Sequence, residues 1–192
     1  MPRTKKGFAK IRTQSKKIIM ETSLELFATR GFHNTSISQI AKTAGVSKGL
    51  MYNYFNSKDD LLKAILLGAY EESAEMITKK LDSPDTPQEQ LEQIIQQVLF
   101  TLKNKSKHWK LITALSFQED AKHFLRKDLK PKQEAIIQQF TRIFKEMGYD
   151  NPLEEAYLVG GMLDGMSLNY MTIGEAYPID KISQFLIQRY CL

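Results

Sequence analysis

Lys48, Gly49, Leu50, Tyr52 and Asn53 set a cation, a bare backbone, an apolar tip, a phenol and an amide within six consecutive positions. That mixture suits the floor of a duplex groove. An ammonium reaches guanine acceptors or a phosphate, an amide pairs with a base edge, and an apolar side chain meets a thymine methyl. Gly49 allows close backbone approach. Ser36, Ser47, Tyr54 and Lys58 flank the set, with donors suited to phosphate oxygens. Such contacts position a protein on DNA without reading its sequence. Taken singly, Tyr52 and Tyr54 read equally well as packing residues, and Lys48 and Lys58 as solvated charges. Their order and spacing carry the nucleic-acid reading.

Short capped helices must hold these side chains. Ser36-Ile37-Ser38-Gln39 has a hydroxyl at the N-cap and a glutamine at N3, a capping box. It opens a helix that turns Ile37, Ile40 and Ala41 inward. Ala44-Gly45-Val46 then makes a tight turn, with Gly45 free to take positive φ. Ser47 caps a second helix running to about Tyr54, so a helix-turn-helix occupies about residues 36–55. Ahead of it, Ile19, Ser23, Leu26, Phe27 and Arg30 recur at three- and four-residue steps, which predicts a helix over 13–30 that Gly31 ends. Ile40, Met51 and Phe55 are expected to fasten the pair to that helix. Ser57, with Asp60 at N3, opens a long helix from Lys58 to about Lys80.

Charge singles out the same region. The first sixty residues hold eleven basic and four acidic side chains, a balance of +7, whereas the whole chain carries +5. A basic module on a slightly acidic body points to a polyanion partner for that module. Residues 1–12 have five basic groups and no acid, and are expected to form a flexible arm. The chain has no secretory signal and no apolar run long enough for a bilayer, so a cytoplasmic location and no membrane partner are expected. It has no phosphate loop, nucleophile elbow or zinc motif, so neither an enzyme nor a cofactor is expected. His108 and His123 are not spaced as metal ligands. Cys191, the single cysteine, reads as incidental, with a sensor thiol or an intermolecular disulfide as the competing readings.

Helix formers dominate throughout, so the fold class is all-α. Asp82-Ser83-Pro84-Asp85 reads as a linker. Thr86-Pro87-Gln88-Glu89 restarts a helix through Leu102, and further helices are expected over about 107–118, 132–147, 153–173 and 179–190. Pro131 breaks the stretch 119–131, which has no clear pattern. Gly161 and Gly165 share one helix face, where either another helix of this chain or a second chain could approach closely.

The run Leu26-Phe27-Ala28-Thr29-Arg30-Gly31-Phe32, the run Ser36 to Phe55 and the segment Ser57-Lys58-Asp59-Asp60-Leu61-Leu62 resemble the tetracycline-repressor-like (TetR) family of bacterial regulators. The resemblance covers about residues 19–65. It implies a three-helix DNA-binding domain (13–60) followed by a helical effector-binding and dimerisation domain (61–192). It further implies a homodimeric repressor on a palindromic double-stranded operator, released by a small apolar or amphipathic effector. The dimer interface would lie on the last two long helices, with Gly161 and Gly165 on the first and Ile182, Phe185, Leu186 and Arg189 on the second. Phe100, Trp109, Phe117, Phe124, Tyr157 and Met162 are candidates for an effector pocket, against the plainer reading that they are ordinary core. The alternatives to a regulator are an effector-independent architectural protein, or a helical small-molecule carrier or enzyme with an incidental basic head.

Overall fold

The computed structural model describes the backbone of residues 5–81 and 85–192, and their side chains except at 5–10, 76, 80, 81 and 123. Within them lie helices α1 (Lys5–Arg30), α2 (Ile37–Thr43), α3 (Lys48–Tyr52), α4 (Lys58–Leu81), α5 (Pro87–Ser116), α6 (Glu119–Phe124), α7 (Lys130–Glu146), α8 (Pro152–Ile173) and α9 (Ile179–Tyr190), and no strand. The fold is all-α, as the composition requires. No helix among the described residues is long and apolar enough to cross a membrane.

The expected flexible arm is corrected in part. The backbone is helical from Lys5, and residues 1–4 lie outside the described residues. Residues 5–12 are mostly helix formers, and lengthening an existing helix requires no new nucleus. The linker at Asp82–Pro84 also falls outside the described residues. The break anticipated after Leu102 is a kink at Lys105 (φ −127°, ψ 26°) inside the continuous α5. Pro131 starts a helix rather than breaking one. It stands in the first turn of α7, where its missing N–H costs nothing, and a single π turn over Leu125–Leu129 precedes it.

The chain forms two compact units. The first joins residues up to Ala69 to Leu111–Lys127; the second comprises Tyr70–Lys110 and Asp128–Leu192. The first therefore extends past residue 60 and recruits a segment distant in sequence. Its buried side chains include Ile19 and Phe27 of α1, Ile40 and Ala41 of α2, Met51 of α3, Phe55, and Leu61 and Leu62 of α4. Phe27 and Phe32 meet edge to face, ring centroids 5.1 Å apart. Ser23 sits in this core because its hydroxyl donates to the Ile19 carbonyl at 2.7 Å. Arg30, grouped in sequence with the inward residues, is exposed, because the last turn of α1 leaves the core just before Gly31. Ile37 and Val46 are only half-buried.

The second unit packs Leu91, Ile94 and Ile95 of α5 with Phe140, Ile143 and Phe144 of α7, Ala156, Val159 and Leu163 of α8, and Leu186 and Tyr190 of α9. Phe144 lies edge-on to Tyr149 at 5.3 Å and to Tyr190 at 5.8 Å. Leu186 is thereby corrected: it is 4% exposed, part of this core and not of a free face. Ile182, Phe185 and Arg189 follow one another at three- and four-residue steps on the exposed side of α9, whereas Leu186 falls on the side with Ser183 and Tyr190.

Cys191 is half-buried, and burial together with Glu92 pushes its thiol up to about 11. At neutral pH it stays protonated and unreactive. Alkylation by iodoacetamide at pH 7.5 is expected to run about tenfold or more slower in the folded chain than in the urea-unfolded chain, after allowing for the greater nucleophilicity of a high-pKa thiolate. A faster rate in the folded chain would restore the sensor reading.

Candidate nucleic-acid interface

The helix-turn-helix is built as its spacing predicts. Ser36 Oγ accepts from the Gln39 amide at 3.2 Å, and Gln39 Oε1 accepts from the Ser36 amide at 2.7 Å, which completes the capping box. Gly45 turns the chain with φ +67°, and the Val46 amide donates to the Ala41 carbonyl at 3.0 Å. Ser47 Oγ accepts from the Leu50 amide at 3.1 Å and starts α3. This helix ends at Tyr52 rather than Tyr54, capped by Asn53, whose amide bonds the carbonyls of Gly49 and Leu50 at 3.2 Å. In both serines the cap uses the oxygen as an acceptor and leaves the hydroxyl proton available to a phosphate.

One side of α3 is anchored and the other faces solvent. Met51 is 1% exposed and Phe55 4%, whereas Tyr52 is 51% exposed. Lys48, Gly49 and Asn53 are exposed as well, and Leu50 and Tyr54 are half-buried. Four of the expected contact residues, Lys48, Gly49, Tyr52 and Asn53, therefore lie exposed within one short surface strip. Replacing Lys48 by alanine is expected to relax base preference at one operator position, by ~1–3 kcal/mol if the ammonium reads a guanine. Binding measured across single-base operator variants checks this, and an unchanged preference would remove Lys48 from the reading set.

Lys58, expected at a phosphate, also fastens the loop between α1 and α2. Its ammonium donates to the carbonyls of Phe32 at 2.8 Å and Thr35 at 3.1 Å, and lies 4.2 Å from the centroid of the Phe32 ring. The carbonyls of the loop between α1 and α2 need donors, and a lysine in the first turn of α4 supplies them. Thr35 ties the same loop from inside, donating to the Gly31 carbonyl at 3.0 Å.

Sequence reasoning missed a second fastening of this loop. The Gln118 side chain accepts from the Phe32 amide at 3.2 Å through Oε1 and donates to the Phe27 carbonyl at 3.0 Å through Nε2. Two residues on, Asp120 lies 3.0 Å from His33 Nε2. These partners are more than eighty positions apart, and no local pattern announces them.

The expected effector residues are dispersed. Phe117 and Phe124 belong to the first unit, and Phe100, Trp109, Tyr157 and Met162 to the second. Phe100, Phe117 and Tyr157 are 63%, 69% and 59% exposed, so they do not line an enclosed cavity in this structure. Trp109 and Phe124 are half-buried, and Met162 packs on the core of the second unit. An open cleft of about 380 Å³ is lined instead by Glu119, Lys122, Arg126 and Lys127. Of the expected dimer residues, Ile182 and Phe185 are 39% and 64% exposed, Arg189 is exposed, and a Cβ placed on Gly161 or Gly165 would meet nothing within 4 Å. No packing among the described residues accounts for those two glycines.

Residues 19–65, which carry the interface, match the family model "Bacterial regulatory proteins, tetR family". An uncharacterised HTH-type transcriptional regulator of Bacillus subtilis, YuxN, is 42% identical over 76 residues, 38% of this chain and 26% of that protein. The chain thus spans about a quarter of YuxN's length in that match. The fatty acid metabolism regulator protein of B. subtilis is 25% identical over 150 residues, 78% of this chain and 72% of that protein. The fold is shared with the crystal structure of the transcriptional regulator FadR from B. subtilis in complex with stearoyl-CoA, at a TM-score of 0.70 and 21% identity, over 90% of this chain and 95% of that one. Residues 19–65, the helix-turn-helix segment that folds this interface, are those of the tetR family of bacterial regulatory proteins.

Proposed function

We propose that the protein is a sequence-specific DNA-binding transcriptional regulator, a homodimeric repressor of the cytoplasm that a small-molecule effector releases from a palindromic operator. The observation that carries this reading is the twice-capped helix-turn-helix, which buries Met51 and turns Lys48, Gly49, Tyr52 and Asn53 outward. Helices of this kind enter the major groove, with their N-terminal residues against base edges. A dimer reads two half-sites related by its own two-fold axis.

The dimer is proposed on the exposed side of α8 and α9. Tyr157, Leu158, Leu168, Ile182 and Phe185 leave large apolar surface open there, next to the uncrowded Gly161 and Gly165. An effector site is proposed in the second unit. Tyr70 Oη, Trp109 Nε1 and Gln139 Oε1 are buried there without a hydrogen-bond partner, and such atoms call for a ligand or solvent. The effector class proposed is an amphipathic acyl compound, following the fatty acid metabolism regulator and the stearoyl-CoA-bound FadR to which the chain is similar.

Selection of bound fragments from random duplex DNA by the purified protein tests the reading. Enrichment of a two-fold symmetric motif is the expected result. Binding that only tracks salt, with no enriched motif, would replace it with non-specific DNA association. An acyl-CoA that leaves the operator complex intact would remove the effector proposal alone.

A further inference from the structure

Lys58 already holds two carbonyls, and other cations stand beside α3 where the DNA backbone would run. Arg12 and Lys16 stand four residues apart on α1 and therefore share a face. The Arg12 guanidinium lies 5.7 Å from the centroid of the Tyr54 ring, and the Lys16 ammonium 5.7 Å from that of Phe55. Tyr54 and Phe55 directly follow Asn53, the cap of α3, so this face of α1 lies against the C-terminal end of the base-reading helix. Both cations are exposed. Each rests against an aromatic ring and keeps its charged head in water, an arrangement that costs little to hold and stays open to an anion. Lys17, the next cation along, is engaged elsewhere, 3.8 Å from Glu21.

We infer that Arg12 and Lys16 are phosphate-binding residues that fix the register of α3 in the groove. They make α1 a second DNA-contacting element that holds the backbone beside α3. The inference rests on the DNA-binding reading and adds to it the residues that position the base-reading helix. A guanidinium offers a phosphate two parallel N–H donors, and an ammonium offers a point charge. A helix lying in the major groove has phosphates along both sides, and the end of α3 carries Arg12 and Lys16 beside it. Neither residue is placed against a base edge, so their removal should weaken binding without altering sequence preference.

Counterion release makes the test quantitative. Each lost phosphate contact lowers the steepness of log K against log salt by about 0.9 on double-stranded DNA. The double variant Arg12→Gln/Lys16→Gln is expected to bind with a slope shallower by about 1.8 per protomer, on selected and on random duplexes alike. Its ranking of single-base operator variants should match the wild type. Arg12→Lys should recover most of the slope lost in Arg12→Gln. Lys145→Gln, which removes an exposed charge from α7 in the second unit, should leave the slope unchanged. Circular dichroism confirms that each variant is folded. A folded double variant with the wild-type slope would overturn the assignment, as would a changed base preference. Failure of the broader reading looks different: the wild type would then enrich no motif, while the slope comparison on random duplex would still judge Arg12 and Lys16. Absence of any duplex binding would overturn both.

Discussion

Lys58→Met is expected to destabilise the helix-turn-helix unit by about 2–3 kcal/mol and to leave the salt dependence of DNA binding unchanged. Methionine keeps the unbranched stem and removes the charge. The carbonyls of Phe32 and Thr35 then lose their donor, and the Phe32 ring loses the cation at its face. Hydrogen bonds to a charged group contribute about 1.5–3 kcal/mol, and a partly exposed cation over a ring about 0.5–1 kcal/mol. Denaturant unfolding followed by hydrogen exchange at the Phe32–Thr35 amides measures the loss. The variant separates the two roles open to this lysine. Wild-type stability with a salt slope reduced by about one phosphate contact would mean that the ammonium leaves the loop when DNA arrives.

Leucine at Gly161 and Gly165 together is expected to leave the isolated chain folded and to abolish the proposed dimer. A Cβ at either position meets nothing within 4 Å, so the monomer accepts the larger side chains. Removing two glycines from the interior of α8 should even raise its stability, by up to about 1 kcal/mol each on helix propensity. A second copy seated across the glycines would instead be pushed away by several ångströms. Sedimentation should then report monomers, and operator affinity should fall by about 10²–10⁴-fold, because each half-site would bind without the effective concentration supplied by its partner. A double variant that remained a dimer would move the interface off this face.

The headpiece could be read almost residue by residue because its determinants are local. A capping box spans four positions, the turn between α2 and α3 needs one residue with positive φ at Gly45, and the burial of Ile40, Met51 and Phe55 follows the helical period. Pro131 was ambiguous for the same reason. A proline both ends helices and starts them, and only the preceding π turn, which supplies an entry, decides for starting.

What lay beyond the sequence is long-range. Lys58 looks like any cation near a DNA-binding helix until the fold brings the carbonyls of Phe32 and Thr35 within 3.1 Å of it. Gln118 is one glutamine in a helical stretch until it bridges Phe27 and Phe32. Leu186 and Phe185 are neighbours of similar type, and only packing assigns one to the core and the other to solvent. Sequence by itself determined the helix-turn-helix, its caps and the outward strip of Lys48, Gly49, Tyr52 and Asn53, because those depend on contacts within one or two helical turns. Tertiary structure alone decided which cations remain open to phosphate and which apolar residues remain uncovered, because a charge or a methyl group has no fixed role until distant chain supplies or withholds its partner.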